Sequence, residues 1–415
     1  MADQKLTCGE KNWILYDVAN SAFILLVSTT IPIFFRSLAE AEGFSPEQAT
    51  GIWGTVTSAA VLILAVLSPI LGAIADYGGM KKKMFTTSLL LGVAGLLAMS
   101  FTAEWVAFLV LFIIARVGYT ACNIFYDSML TDVTTDEKMD MVSSHGFAWG
   151  YIGSCIPFLI GIALIFTTPF GLTTQTATQI SFLLTAVWWL CLTIPLLRSY
   201  HQTYHLEGKP EGIRDVFRQL GGTFRKICRK KSLLFYILSY FCYIDGVNTI
   251  ISMSTSYGDE MGISSEAMIF ALLLTQVIAF PCAILSGKLA KKYGALTMVK
   301  IFIVCYIGIC IFGFQLDQTW EFWVLAVAVG LCQGGIQALS RSYYGKLIPK
   351  EASNEYFGFF DIFGKFADFF GPLIISFCAF VFHSSSYGVL ALILLFALGL
   401  ILLIQSEKAA RKEQG

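Results

Sequence analysis

Apolar residues fall into twelve long runs along the chain, and short polar segments separate these runs. A helix needs about 20 apolar residues to cross the roughly 30 Å hydrocarbon core of a bilayer, and each run is near that length. The runs are not the ten-residue alternating segments of outer-membrane barrels, so the pattern predicts an all-α bundle of twelve transmembrane helices. The predicted spans cover residues 12–36, 49–75, 84–102, 105–130, 141–167, 178–198, 232–257, 264–287, 297–316, 320–345, 354–382 and 385–404.

The composition agrees with a membrane protein and excludes several other classes. Of the 415 residues, 56% are apolar and 13% are charged, and the mean hydropathy is +0.70. These values exclude a soluble enzyme, a disordered protein and a nucleic-acid binder. The 11 cysteines form no C-x-x-C pair and are interpreted as ordinary thiols. His201 and His205 lie four residues apart without a further ligand nearby, so neither a metal site nor another cofactor is predicted.

The basic residues predict the orientation of the chain in the membrane. Arg116 and Lys365 lie inside spans and Arg36 lies in the first outer loop, whereas the other basic residues lie on one side. An excess of Lys and Arg marks the cytoplasmic side, so both termini are predicted to be cytoplasmic. The segment 131–140 is the exception, because it is predicted to lie on this side although it is acidic.

The longest loop, residues 199–231, divides the chain into two predicted six-helix halves at 1–198 and 232–415. Apolar residues recur in this loop at helical spacing, and arginines fall largely on other faces. The apolar set is Ile213, Phe217, Leu220 and Phe224, and the arginines are Arg214, Arg218, Arg225 and Arg229. This pattern is typical of a helix lying on an anionic membrane surface. We interpret it as a latch joining the halves; a regulatory or partner site is the alternative.

The two halves are predicted to be pseudo-symmetric, because they repeat each other. Asp17 and Asn20 in the first span match Asp245 and Asn248 in the seventh at a shift of 228 residues. Hydroxyl residues follow at the same two offsets in both spans, so each set shares one helical face. Substrate sites of transporters lie where related halves meet near the bilayer midplane. The repeat therefore predicts that these side chains face a central cavity; hydrogen bonding between spans is the alternative.

Two further spans carry polar or ionisable groups on a single face. They are Arg116, Asn123 and Asp127 in the fourth span, and Asp361, Lys365 and Asp368 in the eleventh. A charged group at the bilayer centre is costly and by default marks a pathway or a partner. Two interpretations remain open, a substrate or proton path and a neutralised set that locks a helix to its neighbour.

The segment after the second span has the pattern G-x-x-x-D-x-x-G-x-K-K, formed by Gly72, Asp76, Gly79, Lys81 and Lys82. We interpret it as an inner gate that holds one conformation and makes no substrate contact. Together with twelve spans and a central loop, this pattern resembles the major facilitator superfamily. Further stretches are similar to the vacuolar amino-acid effluxer branch of that superfamily and its bacterial relatives. They are residues 13–23 (WILYDVANSAF), 146–153 (GFAWGYIG), 333–342 (QGGIQALSRS), 364–366 (GKF) and 371–372 (GP).

The resemblance implies the major facilitator fold and secondary transport by alternating access. Together with the mixed intramembrane charges, it predicts a small polar, zwitterionic solute such as an amino acid, with protons as the coupling ion. A lysophospholipid translocator and a drug-type exporter are the alternatives. The expected partners are the solute, protons and membrane lipids, with no nucleic acid. We expect a monomer that is not an enzyme, in a plasma membrane or bacterial inner membrane.

Overall fold

The computed structural model describes residues 5–208, 212–382 and 384–414, apart from a few side chains, those of Ile213 and Asp368 among them. Within these ranges the chain forms fourteen α-helices and two short 3₁₀ turns, with no β-strand longer than a single bridge. The helices are α1 (Cys8–Ser28), α2 (Thr30–Ala41), α3 (Pro46–Ala75), α4 (Met80–Met99), α5 (Trp105–Val133), α6 (Asp136–Thr167), α7 (Thr174–Ser199), α8 (Ile213–Arg229), α9 (Lys231–Glu260), α10 (Ser265–Tyr293), α11 (Ala295–Phe314), α12 (Thr319–Leu347), α13 (Ser353–Phe382) and α14 (Ser386–Gln414).

Twelve segments of the described chain are long and apolar enough to cross a membrane, and each coincides with a predicted span. The prediction of twelve helices is thus confirmed. The first span differs in detail, because it consists of α1 and α2 separated at Thr29, where φ is −130° and ψ is −70°. Pro32 explains the break, since its ring lacks the N–H that would bond the carbonyl of Ser28 and crowds that carbonyl.

The start of α1 is fixed by local and tertiary bonds. Thr7 and Glu10 form a capping box, and the Glu10 carboxylate also accepts a hydrogen bond from the Thr134 hydroxyl at 2.8 Å. One turn further, the Trp13 indole stacks on Tyr126 with 4.4 Å between ring centroids, and its N–H donates to the Tyr126 carbonyl. These contacts hold α1 against the end of α5, next to the polar residues that follow on α1.

The amphipathic helix predicted in the central loop is present as α8. Val216, Leu220 and Ile227 are buried, whereas Phe217 and Phe224 are 56% and 53% exposed. The two exposed phenylalanines leave an apolar surface on α8, and its placement on a membrane surface stays a prediction. Helical spacing identifies apolar positions, but it does not say which of them pack on protein and which stay on the surface.

The contacts divide the chain into two compact units. The first contains Met1–Thr134, Trp149–Lys209 and Lys350–Phe357, and the second contains Thr135–Ala148, Pro210–Pro349 and Gly358–Gly415. The first turn of α13 therefore belongs to the first unit, and the start of α6 belongs to the second. The division into halves at 1–198 and 232–415 stays a prediction.

Candidate functional site

The turn between α3 and α4 in the first unit brings the predicted gate residues together. Gly79 has φ of +73°, a left-handed conformation that favours glycine, and it lets α4 begin directly after the turn. Gly72 is required by a close approach: a Cβ atom there would lie 2.8 Å from the backbone carbonyl carbon of Asn354. The glycine pattern thus allows the first turn of α13 to lie directly against the end of α3.

Asp76 caps the first turn of α13. Its Oδ1 accepts hydrogen bonds from the backbone N–H and the side-chain amide of Asn354, both at 2.8 Å, and its Oδ2 accepts the Glu355 N–H at 2.9 Å. The Ser128 hydroxyl donates to the Asn354 side chain from the other side. The first N–H groups of a helix have no intrahelical acceptor and carry partial positive charge, so a carboxylate stabilises them. Asp76 therefore serves as a cap for a helix almost 280 residues away.

The environment of Asp76 makes its ionisation sensitive to pH near neutrality. Burial raises the pKa of Asp76 from 3.8 to about 7, against the lowering effects of the Lys81 charge and of the Glu355 and Asn354 hydrogen bonds. The desolvation of the carboxylate outweighs these favourable contacts. The cap is consequently poised to gain or lose a proton in the physiological range.

Lys81 forms an ion pair with Asp132 in the same unit, at 2.7 Å between Nζ and Oδ2. Both side chains are 0% exposed. The Lys81 ammonium also donates to the Ser353 hydroxyl at 3.2 Å, at the start of α13. Lys82, the other predicted gate lysine, instead donates to the Tyr200 carbonyl at 3.3 Å.

Asp132 is a functional candidate that sequence reasoning missed, and it holds the beginning of the central loop. Its Oδ2 accepts the Tyr200 hydroxyl at 2.6 Å, and its Oδ1 accepts the backbone N–H groups of Thr203 and Tyr204 at 3.1 and 2.9 Å. Further along, the Leu206 N–H donates to the Asp76 carbonyl at 2.8 Å. The segment 200–206 is thus attached at one end to Asp132 and at the other to the gate turn.

The second unit has a corresponding arrangement at the start of α6. Asp140 pairs with Lys346 at 2.7 Å and accepts the Ser342 hydroxyl at 2.7 Å. The Arg341 guanidinium donates to the hydroxyl and the carbonyl of Ser143 at 3.0 and 3.2 Å. Two aspartates of the acidic segment 131–140 thus form ion pairs with lysines, Asp132 with Lys81 and Asp140 with Lys346. These pairs give the acidic residues a role on a side that is otherwise predicted to be basic.

The predicted polar stripe of the first unit lies where α1, α5 and α6 meet. The Asn20 amide donates to the Asn123 oxygen at 3.1 Å, and Asp17 is buried one turn earlier on α1. Gly150 of α6 packs here, since a Cβ atom on it would lie 2.8 Å from the Ser21 hydroxyl and 3.3 Å from the Asp17 carbonyl. The structure therefore brings together residues from both predicted stripes of this unit.

Arg116 lies on α5 in the same region. Its guanidinium carbon is 5.9 Å from the centre of the Tyr119 ring, and Tyr119 is within electrostatic range of Arg116, Asp17 and Asp127. The Nη1 group of Arg116 is buried, and no described residue accepts its hydrogen bond. A buried guanidinium N–H without an acceptor is unfavourable, so this group is available for an anionic partner.

In the second unit, Asp245 is fully buried and contacts α13. Its Oδ1 accepts the Gly371 N–H at 2.8 Å, and the Thr249 hydroxyl lies 3.5 Å away. Any side chain at position 371 would collide, because a Cβ atom would lie 2.8 Å from the Thr249 Cβ. Asn248 is half-buried on α9. In this structure Asp245 takes part in hydrogen bonding between spans, which was the alternative interpretation. Its exposure to water in another state stays a prediction.

The ionisable set on α13 is described in part. Lys365 and Asp361 form an ion pair, as their spacing of four residues predicts. The third member, Asp368, has a side chain outside the described part of the chain. Among the described residues no group of three His, Cys, Asp or Glu side chains is placed to hold a metal ion.

Comparison with solved structures shows which fold the chain has. The human organic anion transporter MFSD10 (TETRAN) matches 95% of this chain and 99% of its own, with a TM-score of 0.76 at 14% identity. The transporter FucP in an outward conformation matches 96% of this chain and 97% of its own, with a TM-score of 0.72 at 14% identity. The chain therefore has the fold of major facilitator superfamily transporters and is a multi-pass membrane protein.

The chain belongs to the family described as vacuole effluxer Atg22 like, whose model matches residues 10–414. It is 43% identical over 408 residues to an uncharacterised MFS-type transporter, YxiO, of Bacillus subtilis, covering 96% of this chain and 95% of that protein. It is 23% identical over 453 residues to autophagy-related protein 22 of Eremothecium gossypii, covering 93% and 89%. The predicted family is confirmed, and its members and structural neighbours are transporters rather than enzymes.

Proposed function

We propose that this protein moves a small zwitterionic solute, such as an amino acid, across the membrane by alternating access. The observation that carries the proposal is the buried Arg116 Nη1 group, whose hydrogen bond no described residue accepts. Asp17 and Asp127 lie in the same unit, and Tyr119 is within electrostatic range of all three side chains. A guanidinium binds a carboxylate through charge-assisted hydrogen bonds, and a carboxylate binds an ammonium group in the same way.

The solute is expected to be zwitterionic because the first unit offers both signs of charge. A purely anionic solute would meet Asp17 and Asp127 as like charges, and a purely cationic one would meet Arg116. A molecule with both groups supplies the Arg116 guanidinium with an acceptor, which removes the cost of its unpaired N–H, and presents its ammonium group to the carboxylates of the same unit.

We propose proton coupling through the buried carboxylates Asp17 and Asp245. Each lies at the same position of the predicted repeat, and Asp245 is fully buried. A carboxylate that is shut away from water binds a proton more readily than a hydrated one, so alternating burial and hydration turns it into a proton carrier. The solute's own gradient is the alternative energy source. Uptake measured under an imposed pH gradient distinguishes the two, because only a proton-coupled transporter concentrates the solute in response to that gradient.

The contacts around Asp76 and Lys81 serve as the inner gate in this proposal. They join the α3–α4 turn to the first turn of α13, so movement of α13 away from that turn requires three hydrogen bonds to Asp76 to break. The gate lies on the cytoplasmic side in the proposed orientation, with both termini inside. We further propose that the transporter acts as a monomer in a plasma membrane or bacterial inner membrane.

Binding to purified protein tests the solute class. Isothermal titration with a panel of neutral, acidic and basic amino acids is compared for wild type, Arg116→Gln and the exposed control Arg36→Gln. The proposal predicts that a neutral amino acid binds wild type and the control equally, and that Arg116→Gln weakens binding at least about tenfold. Binding of lysophosphatidylcholine but of no amino acid would refute the proposed solute class and favour a lipid translocator.

A further inference from the structure

The second unit contains a cavity of about 160 Å³ that is lined by residues of α9 to α14 and of the segment before α14. Its wall is mostly apolar and includes Leu272, Ile309 and Val329. It extends along α9 from Thr249 to Glu260, a distance of roughly 16 Å at 1.5 Å per residue. All of these residues belong to the second unit, so the cavity is distinct from the Arg116 region of the first.

Two glutamine side chains in the lining distinguish this cavity from an ordinary packing defect. The Gln333 side chain lines it and is 6% exposed. Gln276 also lines it, and its buried side-chain oxygen accepts no hydrogen bond within the described chain. A buried amide without partners is costly in an apolar environment. The Gln276 oxygen therefore indicates that a further molecule donates a hydrogen bond here, and Gln333 offers a second amide in the same lining.

The charge of the lining indicates that this molecule is neutral. Among the described lining residues, Glu260 is the only acidic or basic side chain, and it lies at the end of α9. Its carboxylate accepts the Ser385 N–H at 3.0 Å. An ion inside the cavity would lose its hydration without gaining an opposite charge, whereas a neutral polar group loses less and is matched by the amides.

The volume sets the size of the molecule. An engineered apolar cavity of about 150 Å³ in another protein binds benzene. We infer that the cavity of the second unit binds a neutral molecule about the size of one six-membered ring, carrying a carboxamide or hydroxyl that hydrogen-bonds Gln276 and Gln333. This inference goes beyond the proposed function, because the site lies within one unit and its occupation requires no transport.

Benzamide and toluene are suitable probes, because they share a ring and differ in the hydrogen-bonding group. Saturation-transfer difference NMR on the full-length protein in lipid nanodiscs measures the affinity of each. We expect saturable binding of benzamide to wild type, and about a tenfold loss in Gln333→Leu and in Gln276→Leu. Toluene binding should stay within about threefold of wild type in both variants, which also shows that the cavity remains folded.

Two controls complete the experiment. Ala326→Phe places a ring inside the cavity and should abolish binding of both probes. Gln179→Leu removes a glutamine of the first unit, whose amide donates to the Thr102 carbonyl, and should leave benzamide binding unchanged. Absence of saturable benzamide binding to wild type would overturn the inference, as would equal affinity for wild type and both cavity glutamine variants. Failure of the amino-acid binding assay would not affect this result, since Arg116 lies in the other unit.

Discussion

The ion pair between Lys81 and Asp132 gives an asymmetric prediction, because the two side chains have different remaining partners. Lys81→Met leaves the Asp132 carboxylate with three donors, the Tyr200 hydroxyl and the N–H groups of Thr203 and Tyr204. Asp132→Asn has a more severe effect. Each carboxylate oxygen accepts two donors, so the new amide nitrogen must face two N–H or O–H groups whichever way it turns.

The magnitude follows from the complete burial of both side chains. Breaking a buried pair by removing one partner costs about 3 to 5 kcal/mol. We place Lys81→Met near 3 kcal/mol, because three hydrogen bonds to the remaining carboxylate persist, and Asp132→Asn near 5 kcal/mol. At roughly 2 °C per kcal/mol for a chain of this size, the expected falls in apparent Tm are about 6 °C and about 10 °C.

Tryptophan-fluorescence melting in one detergent measures the variants side by side, together with the double variant and the control Lys83→Met. Lys83 is exposed on the same helix, so its replacement should shift the apparent Tm by no more than about 1 °C. The double variant should lose less than the sum of the single losses, because the two residues interact directly. A larger fall for Lys81→Met than for Asp132→Asn would refute this account of the partners, as would additive losses.

Two further predictions concern Asp76 and Gly371. Because the pKa of Asp76 in the folded state is raised to about 7, the folded state holds a proton that the unfolded state has lost, and stability should fall by on the order of 4 kcal/mol as pH rises from about 4 to about 7. Asp76→Asn should remove that part of the pH dependence of Tm, and identical profiles for wild type and variant would exclude Asp76 as its source. Gly371→Ala should cost about 1 to 3 kcal/mol, since its Cβ would lie 2.9 Å from the Asp245 carboxylate. Gly364→Ala, on the same helix with its nearest contact at 3.5 Å, is the matched control, and equal Tm values for the two variants would contradict the packing argument.

Much of the fold could be predicted from the sequence because the membrane imposes a length on each apolar run. The break at Thr29 was not predicted, since hydropathy does not report the effect of one proline on the helix before it. Helical spacing also did not show that tertiary packing buries Val216 and Ile227 of α8 while Phe217 and Phe224 stay exposed.

For the candidate site, the sequence predicted the local cluster but not its partners. The spacing of Gly72, Asp76 and Lys81 predicted one cluster, and the structure brings them together. Their partners are far away in sequence, with Asn354 278 residues beyond Asp76 and Asp132 51 residues beyond Lys81. The sequence around Asp132 does not indicate that this aspartate binds a buried lysine. The signal that was available is the mismatch between the acidic segment 131–140 and the basic side on which it was predicted to lie.

Uptake into proteoliposomes tests the central claim most directly. Purified wild type, Arg116→Gln and Asp245→Asn are reconstituted at equal density, and accumulation of a radiolabelled neutral amino acid is followed with a pH gradient imposed in either direction. We expect wild type to concentrate the solute above equilibrium under one gradient, Arg116→Gln to lose uptake, and Asp245→Asn to lose the response to pH. The conservative amide at position 245 keeps the acceptor for the Gly371 N–H, so the fold should persist. Wild-type accumulation no greater than that of protein-free liposomes for every amino acid tested, under both gradients, would contradict the account.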